Sequence, residues 1–179
     1  MSFKYNFSAN TGYLWKELPF LDRLAMAKKY DFESVEFHDE PYKENIKNLK
    51  LVLSELDLKV NGINIRMGET FGCAAISEYS EKYKHDINEA IKVAIELKAP
   101  AIHVMSGITA ADDANKTFIS SLEYALENST QTILIEPVCK EQLPGYFLRT
   151  IEQASEILKM STLDPSSTGF KNKYLNIFF

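Results

Sequence analysis

Cysteine is scarce in this chain: Cys73 and Cys139 are the two among 179 residues. They stand in no metal-type spacing, and a lone pair so placed supplies no disulfide framework. Long apolar runs are missing as well. No segment approaches the roughly 20 apolar residues that span a bilayer, so no membrane partner is expected. Blocks of lysine and arginine are absent and the net charge is -5, so there is no footprint for a phosphate backbone and nucleic acid is not an expected partner. Met1 to Asn10 alternates polar and apolar residues, where a secretory signal needs a basic start and a continuous apolar stretch. The expected location is cytoplasmic, and the sequons at Asn6, Asn115 and Asn128 then carry no consequence. Two catalytic signatures are lacking too. No Gly-rich phosphate turn follows any strand-like run, and no Gly-x-Ser-x-Gly elbow offers a serine nucleophile.

What is present is an alternation of short strand-like runs with longer helical ones, in a chain long enough for one domain with a sizeable core. Strands are expected at 4–9, 34–38, 59–65, 101–105 and 132–136 from period-two patterning or short apolar runs. Helices are expected over 19–30, 43–56, 79–97, 112–127 and 148–159. The clearest is the third, whose stripe of Tyr83, Ile87, Ala90, Ile91, Ala94 and Leu97 recurs at helical spacing. Strands separated by helices imply parallel pairing with right-handed crossovers, hence an α/β fold. Pattern alone leaves open whether the sheet is doubly wound or part of a closed barrel. Residues 161–169 have loop composition, and Leu175 to Phe179 is a strand-like run with no helix after it, which suggests a chain cut short.

Ligands of parallel α/β folds bind at the carboxyl ends of the strands, so polar residues there are the candidates. Glu136 directly follows the apolar run Ile133-Leu134-Ile135. A carboxylate in that place needs a partner, either a lysine or arginine at the top of the sheet or a metal or substrate. His103 lies near the end of the fourth strand, as a hydrogen-bonded core residue or as a group that reaches the mouth. Glu36 and His38 share one face of the second strand. Asp39 and Glu40 read as loop residues in solvent rather than as part of a metal cluster with His38. Lys140 and Glu141 read as a solvated pair. Cys139, beside a strand end, has no neighbouring histidine in sequence to activate it, and Trp15 reads as packing.

Four stretches together resemble the hydroxypyruvate isomerase family of the xylose-isomerase-like TIM barrels. They are Phe7-Ser8-Ala9-Asn10 with Pro19-Phe20-Leu21-Asp22-Arg23; Val35-Glu36-Phe37; Ile102-His103-Val104-Met105-Ser106-Gly107; and Ile133-Leu134-Ile135-Glu136-Pro137-Val138 with Leu143-Pro144-Gly145-Tyr146-Phe147-Leu148. The resemblance covers about residues 5–160. It implies a partial (β/α)8 TIM-type barrel of five to six parallel strands with helices outside. Residues 1–160 would be its N-terminal part and 161–179 a divergent loop with a short terminal strand.

The resemblance also implies an isomerase that interconverts hydroxypyruvate and tartronate semialdehyde through an enediol. Its substrate is a small hydroxy-oxo acid, and a pair of carboxylates serves as acid and base. Glu136 matches one catalytic carboxylate, which in the wider superfamily also ligates a divalent metal such as Mg²⁺ or Mn²⁺. His103 and Glu36 are the implied substrate-binding residues. The family's other metal ligands and its second catalytic glutamate come from strands six to eight. The loops at His38-Asp39-Glu40-Pro41-Tyr42 and Arg66-Met67-Gly68-Glu69-Thr70-Phe71-Gly72 are shorter than the family's, so a relative acting on 2-oxo-tetronates is a second expectation. A third is a non-catalytic fragment or interaction protein that self-associates through open sheet edges.

Overall fold

The expected alternation of strand and helix is realised throughout the computed structural model of the chain, which describes residues 7–161 and 175–177. Six parallel strands pair in the order β1-β2-β3-β4-β5-β6: Ser8–Asn10, Ser34–Phe37, Lys59–Asn64, Ala101–His103, Thr132–Ile135 and Leu175–Ile177. Residues 4–6 of the expected first strand, and nearly all of the expected loop after Ser161, lie outside the described residues. Among the described residues β1 pairs with β2 alone and β6 with β5 alone.

Five helices connect the strands: α1 (Phe20–Lys29), α2 (Ile46–Glu55), α3 (Ser80–Leu97), α4 (Ala114–Asn128) and α5 (Ile151–Ser161). Each from α1 to α4 packs on the next, so the helices form one layer. The sheet face turned to them is apolar. Ala9, Val35, Phe37, Val60, Ile63, Ile102, Ile133 and Ile135 are all buried in the same core as Leu24, Leu49, Leu53, Ile87, Phe118 and Leu122 from the helices. The full expected stripe of α3 is buried.

Helix starts fall one to three residues later than the sequence suggests, and the two largest offsets have local reasons. Pro41 lies in a single 3-10 turn over Glu40–Tyr42. α2 then starts after Asn45, whose side-chain oxygen accepts from the Lys47 and Asn48 amides. At α5 the Leu148 carbonyl is held by the Val138 amide at 3.0 Å, which keeps residue 148 in the preceding loop.

The second and third strands meet through a register shift. Val35 pairs with Val60 but Glu36 pairs with Gly62, so β3 carries one extra residue. Val60 and Ile63 are three apart and would point to opposite faces of a regular strand, yet both are buried in the core. The bulge restores the phase. It also brings Asn61 to Ser34, where its side-chain amide donates to the hydroxyl at 3.1 Å.

Three of the helix-to-strand turns share one design. After α1 the Asp31 amide donates to the Lys28 carbonyl and the Phe32 amide to that of Ala27. After α2, Asp57 and Leu58 repeat this with Ser54 and Leu53, and after α3, Lys98 and Ala99 do so with Ile95 and Ala94. These are Schellman turns, which need a left-handed residue and usually take glycine there. Here the residues are Asp31, Asp57 and Lys98, with φ of 61°, 50° and 56°. Replacing Lys98 by glycine is expected to raise stability by about 0.5–1 kcal/mol, because the left-handed penalty disappears. A denaturation midpoint that falls instead would show that the lysine side chain matters more than its backbone.

Candidate functional site

On the other face, the strands carry polar residues, and these line a cavity of about 500 Å³ at their carboxyl ends. Glu36 from β2, Asn61 and Asn64 from β3, His103 from β4 and Glu136 just past β5 all contribute to its wall. Loop residues complete it, among them Gly12, Tyr13 and Lys16 after β1, His38 after β2, Phe71 after β3 and Cys139 after β5.

Glu136 and His103 face each other, with His103 Nδ1 3.8 Å from Glu136 Oε2. The histidine side chain is 7% exposed and the glutamate 36%, so one belongs to the wall and the other to the open space. His103 Nδ1 lies 3.2 Å from Asn64 Oδ1. An amide oxygen only accepts, so Nδ1 carries the proton and Nε2 holds a lone pair. Burial pushes the His103 imidazole down to about 4, and nearby His38 pushes the same way. Glu136 is raised by burial first and by the Glu36 carboxylate second. Burial raises Glu36 as well. The Ser8 hydroxyl stands near enough to oppose that shift, although its oxygen makes no hydrogen bond of ordinary geometry. Among the described residues no lysine or arginine pairs with Glu136, so a salt bridge at the top of the sheet is not what holds it there.

The His103 shift has a visible consequence. In the unfolded chain an imidazole takes up a proton near pH 6.5, whereas the folded one refuses it until about 4. Its contribution is therefore intact above about pH 6.5, and stability is lost progressively as pH falls from there through 4. The ring's carbon-13 NMR shifts are expected to stay constant from about pH 8 to 5.5. A titration midpoint near the ordinary histidine value would mean that water reaches the ring.

His38 is also lowered, chiefly by burial, with Lys16 adding to the shift while Glu40 and Asp39 oppose it. Its ring packs edge-on against Tyr13 at 4.6 Å between centroids. Gly12 makes that place possible, since a Cβ there would stand 2.2 Å from the ring. Glu40 is not in solvent as its sequence context suggests. Its carboxylate meets Arg23 Nη1 at 3.2 Å, and both side chains are mostly buried. Asp39 pairs with Lys43 instead. Lys140 and Glu141 are the exposed pair expected of them.

The rim is stitched together across three loops. Gly72 bridges to Ser106, and Ile108 bridges to Tyr146. The Ser106 amide donates to the Tyr146 hydroxyl at 3.0 Å, and the Leu148 amide donates to Ser106 Oγ at 3.2 Å. Two further left-handed residues stand on this side of the sheet: Trp15 (φ 55°) and Phe71 (φ 52°). Trp15 stacks on Tyr30 at 5.8 Å, which offsets part of that strain.

A divalent cation of the Mg²⁺ type takes about six oxygen ligands. The cavity offers the Glu136 and Glu36 carboxylates, but among the described residues no three candidate ligand atoms gather around them. The described donor set supplies Glu136 as one ligand and does not make such a site. One trio does gather, His85, Asp86 and Glu89 on α3. Its carboxylates are already paired with Lys82 and Arg66, which marks a salt-bridge network.

Asn64 and Lys16 line the cavity although sequence reasoning passed over both. The strand-end rule that singles out Glu136 also applies to Asn64, the last residue of β3. Lys16 had no such signal, because it lies in a loop.

Comparison with known proteins places this geometry in context. A family model described as xylose isomerase-like TIM barrel matches residues 24–166. The 2-oxo-tetronate isomerase of Haemophilus influenzae is 30% identical over 169 residues, covering 88% of this chain and 65% of that protein. The hydroxypyruvate isomerase of Escherichia coli is 31% identical over 163 residues, covering 85% and 63%. This chain thus spans less than two thirds of the length of either relative. The crystal structure of an AP endonuclease of family 2 from Brucella melitensis superposes with a TM-score of 0.86 at 26% identity, covering 96% of this chain and 67% of that one.

Proposed function

The chain belongs to the xylose isomerase-like TIM-barrel family, and from that premise we propose that it serves an isomerase acting on small hydroxy-oxo acids, with hydroxypyruvate and tartronate semialdehyde as the reactant pair. The observation that carries this reading is Glu136, a half-buried carboxylate of raised pKa that faces a neutral His103 across the cavity.

Glu136 takes the proton from C3 of hydroxypyruvate. The C–H electron pair becomes the C2–C3 double bond of the enediol, while the C2 carbonyl oxygen gains a proton. Return of a proton to C2, with loss of the proton on the C3 hydroxyl, gives the aldehyde. Burial and the Glu36 carboxylate raise Glu136, and a carboxylate so raised is a stronger base than an ordinary one, which suits this step. His103, held neutral and fixed by Asn64, turns its Nδ1 edge toward Glu136 and binds a substrate oxygen on that side without adding charge. Glu36 binds a substrate hydroxyl from the facing strand. Among the described residues Glu136 is the one that would ligate a divalent metal, which would polarise the substrate oxygens.

The test is hydrogen exchange in D₂O, with and without added Mg²⁺ or Mn²⁺. Proton NMR should show loss of the C3 signal of hydroxypyruvate and growth of the aldehyde. The same assay with a 2-oxo-tetronate decides between the two substrates that the relatives' names suggest. A folded chain that exchanges neither would overturn the reading and leave the non-catalytic one.

A further inference from the structure

The charges around the cavity are uneven. Among the described residues two carboxylates line it, its histidines are both held toward the neutral form, and the single lysine or arginine in its lining is Lys16. Among the described residues Lys16 forms no ion pair. It enters the cavity wall from the loop after β1, whereas Glu136 follows β5, four strands further along the sheet.

The backbone beneath Lys16 is fixed. Arg23, itself mostly buried, reaches into the loop after β1 and donates to the carbonyls of Leu18 at 2.9 Å, Thr11 at 3.0 Å and Lys16 at 3.5 Å. Its remaining charge is met by Glu40. Thr11 is tied to β2, its amide and hydroxyl both donating to the Glu36 carbonyl. Left-handed Trp15, stacked on Tyr30, directly precedes Lys16. The loop thus holds a cation at the mouth, while Arg23 of α1 is engaged with the loop carbonyls and with Glu40.

An anionic substrate faces a difficulty here, because Glu136 and Glu36 repel it. Like charges are tolerable only if the substrate carboxylate lies at the far side from them and meets a cation there. We propose that Lys16 is the carboxylate anchor of this site, setting its preference for hydroxy-oxo acids over neutral sugars of similar length. A three-carbon acid anchored at Lys16 extends its hydroxymethyl end across the cavity toward Glu136. This inference rests on the isomerase reading for the identity of the acid, but not for its binding.

The probes are hydroxymalonate, a three-carbon acid that cannot isomerise, and neutral dihydroxyacetone, titrated calorimetrically into the full chain. Lys16→Met is expected to weaken hydroxymalonate at least about tenfold, with Lys16→Arg restoring most of the affinity and dihydroxyacetone responding little to either change. A wild-type chain that fails to bind hydroxymalonate overturns the anchor, as does a Lys16→Met chain that binds it unchanged or loses both probes equally. Binding that depends on Lys16 in a chain without hydrogen exchange would leave the anchor standing and remove the isomerase. Exchange that survives Lys16→Met with an unchanged KM would do the reverse.

Discussion

Exchange at C3 of hydroxypyruvate is expected to fall by about 10²- to 10⁴-fold when Glu136 is replaced by glutamine, the range that loss of a positioned general base produces. The substitution keeps shape and hydrogen-bonding capacity but removes the ionisable group. KM is expected to change much less than kcat, because the glutamine amide still fills the same wall of the cavity. Folding gives an independent readout. Glu136 sits where burial and Glu36 both disfavour its charge, so the neutral variant should melt no lower than wild type. Exchange retained within about tenfold of wild type would assign the proton transfer to another group. A lowered melting temperature would mean instead that the carboxylate has a structural partner.

Gly72→Ala is expected to cost about 3 kcal/mol or more, which for a chain of this size lowers the melting temperature by roughly 6–12 °C. Two causes combine. Gly72 has a φ of 92°, a conformation that side chains rarely adopt, and an added Cβ would stand 2.3 Å from the Met105 carbonyl oxygen. That oxygen is backbone and cannot rotate away. The bridge from Gly72 to Ser106 would open, and with it one of the connections around the rim. Gly68 provides the control. It too is left-handed, at φ 57°, but nothing lies within 4 Å of its missing Cβ. Gly68→Ala should therefore cost only about 1–2 kcal/mol, the backbone penalty alone. Equal losses at the two glycines would show that the close approach to Met105 is not the cause.

The strands and helices were legible because their burial follows simple periods. The α3 stripe and the Ile133-Leu134-Ile135 run could be read directly, and the strand-end rule brought Glu136, His103 and Glu36 to one cavity. The β3 bulge was hidden, since Lys59 to Ile65 looks like one regular strand until Val60 and Ile63 are both required on the core side. The Schellman turns were hidden for a different reason: glycine is their usual marker, and Asp31, Asp57 and Lys98 stand in its place. Glu40 misled because its partner, Arg23, lies 17 residues away and no local pattern links them. Lys16 is the same case with the sign reversed. Its role depends on which charges surround it in space, and a loop position says nothing of that.

Among the described residues the five left-handed ones that are not glycine divide between the two ends of the sheet. Asp31, Asp57 and Lys98 close helices at the foot of the strands, and Trp15 and Phe71 stand in the loops around the mouth. Adaptation to heat and adaptation to a new substrate can therefore proceed in different parts of the molecule. A lineage moving to warmer conditions could relax the foot one residue at a time and leave the chemistry alone. Phe71 offers no such freedom, because it lines the cavity and a change in its backbone would reshape that wall.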